Sequence, residues 1–178
     1  MQIIKTKFKG LLIIKQKNYK DKRGSLREVF NNKILKINNF KYEYYSSCKA
    51  NTLRGFHFQY KFQQAKYVYV LKGKILDYVI DLRKNSKTFG KCFKIILSEK
   101  NCLGLYIPKG FGHAYYSYEK INIVYYKLTN YYKPSFESGI NLLDKKIKIR
   151  WPKKKFTISP KDRKLPSFKD FCSHYKFL

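Results

Sequence analysis

From Lys66 to Leu128 the sequence is cut into short runs of β-branched, aliphatic and aromatic residues, bounded mostly by Gly or Pro. KYVYVL (66–71) stops at Lys72-Gly73, and ILDYVIDL (75–82) follows at once, which reads as a hairpin. Lys94 to Leu97, Leu103 to Ile107 ahead of Pro108-Lys109-Gly110, and Ile121 to Leu128 continue the pattern. Gly10 to Lys15 and Ile147 to Trp151 are further strand candidates. Tyr and Phe, 17 and 14 of them, favour a pleated, half-buried surface. Helical periodicity is confined to one short stretch after Phe30 (NNKILKINNF) and a turn or two after Pro160. Short strands with turn signals between them predict an all-β sandwich or barrel with a few short peripheral helices. No repeat of 20–50 residues occurs. The 178 residues, 44% apolar, suit a single domain over 1–178. The lysine-rich tail keeps Trp151, Phe156, Ile158, Phe168 and Phe171, so it is expected to pack.

The net charge of +29 leaves two readings open: a polyanion-binding surface, or a biased codon pool. The excess comes from 34 Lys against only 6 Arg, spread along the whole chain. Reading of phosphates and bases favours Arg, whose planar fork bonds bidentately. No RNP-like, helix-turn-helix or zinc-finger signature is found, so no specific nucleic-acid partner is expected. Cys48, Cys92, Cys102 and Cys172 have no CxxC spacing and form no Cys/His cluster. Lysines run through the first 22 residues, and Leu11 to Ile14 is too short for a signal core. No apolar run approaches a membrane span. Free thiols in a reducing cytoplasm are the expectation.

Two motifs carry polar chemistry. In Leu53-Arg54-Gly55-Phe56-His57-Phe58-Gln59, regular alternation sets Arg54 with Phe56 and Phe58 on one face, and His57 with Gln59 on the other. A His beside a Gln on an inner wall would make a polar pocket surface, although a lone His also reads as a buried, hydrogen-bonded group. Pro108-Lys109-Gly110-Phe111-Gly112-His113 resembles the second motif of the cupin barrels, where this His often ligates a metal. The first cupin motif needs a His-x-His and a Glu soon after. Here His57 is followed by Phe58-Gln59, and no Glu comes before Glu99. A divalent site needs three or four donors, so none is expected from His57 and His113 alone, and His174 reads as a surface residue.

Asp21-Lys22-Arg23-Gly24 with Glu28, LRGFHFQ, Gln64-Ala65-Lys66, VIDLRKNSKTFG (79–90), LSEKN (97–101), YIPKGFGH (106–113), YKLTNYY (126–132) and ISPKD (158–162) follow one another in order. This series resembles the dTDP-4-dehydrorhamnose 3,5-epimerase family across nearly the whole chain. The resemblance implies a cupin-type jelly-roll barrel that works without a cofactor. It implies inversion of C3, C5 or both in a dTDP-linked 4-keto-6-deoxyhexose, with the same chemistry on a GDP- or CDP-linked sugar, or sugar-nucleotide binding without catalysis, as the alternatives. It also matches His57 to the base, Asp162 to the carboxylate that orients it, Tyr131 to the acid and Lys66 to the group beside the enolate oxygen. Arg23 and Arg54 match diphosphate contacts, and Glu28 and Tyr132 nucleotide-side contacts, with Gln59 and His113 also in the substrate pocket. A homodimer with exchanged N-terminal strands is implied, and a basic surface would attract the charged substrate. Taken singly, Asp162 also reads as a helix cap or surface acid, Tyr131 as core, and Lys66 as one lysine among 34. Two departures stand out. Tyr42-Glu43-Tyr44 replaces a Gln-Asp-Asn common in the family, and Ala114-Tyr115 follows His113 where Gly-Phe is usual.

Overall fold

The computed structural model describes residues 1–37, 39–153 and 155–175. Among them the strand-forming runs become β1 (Gln2–Lys5), β2 (Leu12–Lys15), β3 (Lys17–Asp21), β4 (Gly24–Glu28), β5 (Tyr42–Cys48), β6 (Thr52–Gln59) and β7 (Lys66–Lys72). Then follow β8 (Lys74–Asp81), β9 (Cys92–Ser98), β10 (Leu103–Ile107), β11 (Phe111–Ser117), β12 (Asn122–Leu128), β13 (Glu137–Gly139) and β14 (Thr157–Ile158). Among the described residues helix is limited to α1 (Asn32–Leu35), α2 (Pro160–Arg163), α3 (Phe168–His174) and two single 3-10 turns.

The strands form two facing sheets, ordered β1-β2-β10-β7-β12-β5 and β13-β6-β11-β8-β9, with β14 added in parallel to β6. Along β12 the burial alternates residue by residue, and Val124, Tyr126 and Leu128 point inward. They meet Val68 and Leu105 of their own sheet and Val79, Leu97 and Tyr115 of the other in one core. This is the jelly-roll barrel that the patterning and the family resemblance predict. Strand β11 is buried on both faces. Phe111 and Tyr115 enter the core, while Ala114 and Tyr116 face outward under the C-terminal segment. That cover includes Ile140, Leu142, Ile158 and Phe171. Trp151 packs edge-on against Tyr78 and donates its indole N–H to Leu142 O at 3.0 Å. The tail packs, as its apolar residues require.

Two expectations are corrected. The runs at 66–71 and 75–82 are strands but not a hairpin, because β7 lies between β10 and β12, and β8 between β11 and β9. Gly73, at φ +85°, passes the chain from one sheet to the other, and a Cβ there would stand 2.5 Å from Ile121 O. Turn residues mark a reversal; they do not choose the partner strand. The second correction concerns Ile147 to Trp151, which form no strand. Ile147, Ile149 and Trp151 do pack on the outer face of the second sheet, but Ile147 closes the 3-10 turn Lys145–Ile147 and Lys148 stands at φ +55°, so the chain is not extended there. Among the described residues the segment has no ladder partner.

The hairpin β3–β4 pairs with neither sheet. Leu26 and Tyr19 on it are 73% and 48% exposed. Arg27 ties it to the first sheet by donating to Val70 O at 2.8 Å.

Candidate active site

A cleft of about 550 Å³ opens against the inner face of β6, and its walls include His57, Lys66, His113, Tyr132, Glu137 and Asp162. The local geometry of β6 sets the arrangement. His57 lies opposite His113, yet Arg54 lies opposite Tyr115, so three steps on β6 match two on β11. Such a bulge re-aims side chains. It turns Arg54 onto the face of His57 and away from Phe56 and Phe58, which corrects the regular alternation expected from sequence; Arg54 lines the cleft. Gly55 makes the bulge possible: its φ is +102°, and a Cβ would fall 2.2 Å from His113 O.

His57 and Asp162 meet across the cleft edge, Nε2 to Oδ1, at 2.9 Å. Asp162 stands at the third position of α2, where Ser159 caps the helix and accepts the Asp162 N–H at 3.0 Å. An acid in the first turn suits the unpaired N–H groups there. Its second oxygen accepts the Gly55 N–H at 3.1 Å. Burial alone would raise this carboxyl, but the hydrogen bond and charge of His57 and the Gly55 N–H hold it below the ordinary range. An ionised Asp162 on Nε2 makes that nitrogen the donor, leaving Nδ1 as the basic one. Nδ1 is 3.6 Å from Glu137 Oε1.

Glu137 opens β13, opposite Gln59. It accepts from the Tyr132 hydroxyl at 2.7 Å and pairs with Lys161. Burial pushes its carboxyl up, but Lys161, Tyr132 and His57 together bring it below the usual value. Lys66, the first residue of β7, is 8% exposed and donates to His57 O at 3.4 Å. Burial lowers its ammonium to about 8, against the opposing pull of Glu137 and Asp77. On the buried wall, His113 Nε2 meets Asp77 Oδ2 at 2.8 Å. Asp77 is fully buried, and its Oδ1 has no hydrogen-bond partner among the described residues. Burial raises this carboxyl in spite of His113 and Lys66.

Of the residues singled out by sequence, His57, Asp162, Lys66, Arg54, Gln59, His113 and Tyr132 all line the cleft. Tyr131 does not. It is 56% exposed, with its ring 6.4 Å from that of Tyr42, while its neighbour Tyr132 faces in. Gln59 is committed to backbone: its amide donates to Phe62 O at 2.9 Å and Tyr131 O at 3.3 Å, and accepts the Lys133 N–H at 2.7 Å. It holds in place the loop that carries Tyr132. Arg23 and Glu28 lie on the β3–β4 hairpin outside the cleft, Arg23 bonded to Asp21 and Glu28 to Asn31. Of Tyr42-Glu43-Tyr44, only Tyr44 lines the cleft, stacked on Tyr126, while Glu43 bonds Tyr125 and Lys127. Tyr115 also lines it, 2% exposed, with its hydroxyl 2.9 Å from that of Ser46. Sequence reasoning missed Asp77 and Glu137. An acid in the middle of the apolar run ILDYVIDL was a signal for the first. Among the described residues no three His, Cys, Asp or Glu side chains gather into a metal-binding group, and no helix is long and apolar enough to cross a membrane.

The sequence matches the family profile of dTDP-4-dehydrorhamnose 3,5-epimerase over residues 5–170. It is 38% identical to the dTDP-4-dehydrorhamnose 3,5-epimerase of Methanothermobacter thermautotrophicus over 169 residues, covering 91% of each chain. It is 36% identical to the Escherichia coli enzyme of that name over 172 residues, covering 93% of each. The fold superimposes with a TM-score of 0.89 on a dTDP-6-deoxy-D-glucose-3,5-epimerase from Legionella pneumophila, solved in complex with dTDP-4-keto-L-rhamnose. That protein is 37% identical, and the match covers 93% of this chain and 92% of the other.

Proposed function

The chain belongs to the dTDP-4-dehydrorhamnose 3,5-epimerase family, and from that premise we propose that its cleft inverts C3 and C5 of a dTDP-linked 4-keto-6-deoxyhexose. It is an isomerase acting on a nucleotide sugar. The observation that carries the reading is the His57–Asp162 pair at 2.9 Å, set in one cleft with the buried ammonium of Lys66.

A ketone at C4 acidifies the hydrogens on both neighbouring carbons. Removing either one moves charge onto the ketone oxygen. His57 takes the proton on Nδ1, and Asp162 on the other nitrogen fixes the tautomer and favours the imidazolium that forms. Lys66 supplies a fixed positive charge for the enolate oxygen, in a place where little water dilutes it. The acid returns a proton from the opposite face. Tyr131 matched that role by resemblance, but Tyr132 is the tyrosine that lines the cleft, so the role passes to Tyr132. His113, braced by Asp77, adds a second polar contact for the sugar. Arg54 grips the diphosphate, where its fork suits paired oxygens.

Arg23 and Glu28 reach a nucleotide only if their hairpin enters the cleft of a second copy. A homodimer with exchanged N-terminal strands therefore completes the site. The exposed Leu26 and Tyr19, on a hairpin paired with neither sheet, support this arrangement. Four free cysteines suit a reducing cytoplasm as the place of work.

The test is proton exchange in D2O with dTDP-4-keto-6-deoxyglucose, followed by NMR at C3 and C5. Deuterium at both positions, with a dimer by light scattering, is expected. Exchange at one centre only would make the enzyme a single-centre epimerase. No exchange at either would remove dTDP as the carrier and direct attention to Tyr44, the one residue of the departing Tyr42-Glu43-Tyr44 stretch that lines the cleft.

A further inference from the structure

One carboxylate joins the acid and the base. Glu137 Oε2 accepts the Tyr132 hydroxyl at 2.7 Å, and Oε1 stands 3.6 Å from His57 Nδ1, the nitrogen that Asp162 leaves free. Closing the second gap to hydrogen-bond length takes a shift of less than about 1 Å. The exposed Lys161 pairs with the same carboxyl, and the Glu137 side chain is only 12% exposed.

Inverting two carbons in succession raises a problem that inverting one does not. After the first inversion His57 holds the proton taken from carbon, and Tyr132 has given its own away. Both groups are then in the wrong state for the second. Resting on the reading above, we propose that Glu137 carries the proton from His57 back to Tyr132 between the two inversions. The imidazolium N–H bond breaks as an O–H bond forms at Oε1, and Glu137 becomes neutral. Rotation about its last torsion, which is soft in glutamate, presents that hydrogen to the Tyr132 phenolate. The phenol re-forms, Glu137 returns to its anion, and His57 is neutral again. One proton has moved, with no redox change and no loss of substrate; the His57 side chain is 30% exposed, so its N–H exchanges with solvent along the way, and in D2O the second carbon also takes deuterium. An ionised carboxylate beside a phenolate disfavours both charges together, so the transfer runs towards the phenol.

Glu137 thus acts through two other groups rather than on the sugar. The test uses the full-length enzyme in excess over substrate in D2O, with time-resolved NMR at C3 and C5, for wild type, Glu137→Gln and Glu137→Asp. The carbon that exchanges first is expected to keep its rate within about threefold, because both catalytic groups start in the correct state. The second is expected to slow by about a hundredfold or more, a typical share for a lost proton-transfer group, and a singly exchanged sugar accumulates. Formate added to Glu137→Gly is expected to restore the second rate. Equal slowing at both carbons would overturn the relay and leave Glu137 as a residue that shapes the site. Wild-type rates at both carbons in the variants would overturn it too. A wild type that exchanges neither proton sinks the underlying reading, and the relay with it, and is thereby told apart from the relay's own failure.

Discussion

Two histidine–carboxylate pairs share one cleft and differ mainly in their access to water. His57 and Asp162 meet at 2.9 Å with the imidazole side chain 30% exposed, whereas His113 and Asp77 meet at 2.8 Å with 5% and 0% exposed. Asp162 gathers donors from His57 and the Gly55 N–H, which outweigh its burial and keep it ionised. Asp77 has one donor and, among the described residues, one oxygen without a partner, and burial raises its carboxyl. The same two residue types therefore suit different work. The open pair has a basic nitrogen facing the cleft and can cycle a proton. The closed pair is shut off from solvent and is fitted to hold shape.

The sharpest way to break this contrast is to remove each member in turn. His57→Ala is expected to lower kcat/KM about a thousandfold, within the range for lost general-base catalysis, and to leave the melting temperature within a few degrees. Near-normal turnover in a folded variant would end the role of His57. Asp77→Ala is expected to act the other way. It leaves a buried imidazole without its partner, at about 1–3 kcal/mol, or roughly 5 °C in Tm for a chain of this size. Asp162→Ala is expected to cost less than half of that in stability and more in rate. If calorimetry ranked the two carboxylates in reverse order, the contrast between an open and a closed pair would be wrong.

Tyr132→Phe is expected to slow turnover about a hundredfold, and Tyr131→Phe by less than about twofold. Steady-state rates with the reverse ranking would restore Tyr131 as the acid. The smallest effect concerns pH. Lys66 must be cationic to face an enolate, and burial lowers its ammonium to about 8. The kcat/KM profile is expected to fall above about pH 8, and Lys66→Arg to move that limb upward. Stability follows the opposite sign. The folded-state value lies below the ordinary 10.5, so the unfolded chain binds more protons between about pH 8 and 10.5. The native state of the wild type therefore gains stability relative to Lys66→Met as pH rises through that window. Chemical denaturation at pH 7.5 and 9.5 measures the difference, and an unchanged gap would mean that Lys66 titrates elsewhere.

Much of the fold was legible because strand burial has a period of two and Gly and Pro end the runs. The partners of β7 and one of the two partners of β8 were not legible, since β10, β11 and β12 lie far away in sequence and the turn at Gly73 only reverses the chain. The face of Arg54 was misread because one extra residue in β6 breaks the alternation. At the site, His57 and Asp162 are 105 positions apart, and only family resemblance joined them. Glu137 went unseen because its meaning lies in three partners on other segments. Tyr131 and Tyr132 are adjacent in a loop, where nothing local says which one turns inward. Asp77 was the one missed group with a local sign, an acid at an inward position of an apolar strand.

The most direct measurement compares deuterium uptake at C3 and C5 of dTDP-4-keto-6-deoxyglucose by wild type, His57→Gln and His113→Gln, each checked for fold by circular dichroism. Exchange is expected at both carbons in wild type, at neither in His57→Gln, and at a slower but detectable rate in His113→Gln. Exchange that survives in His57→Gln and vanishes in His113→Gln would contradict that expectation, and would assign the chemistry to the buried pair.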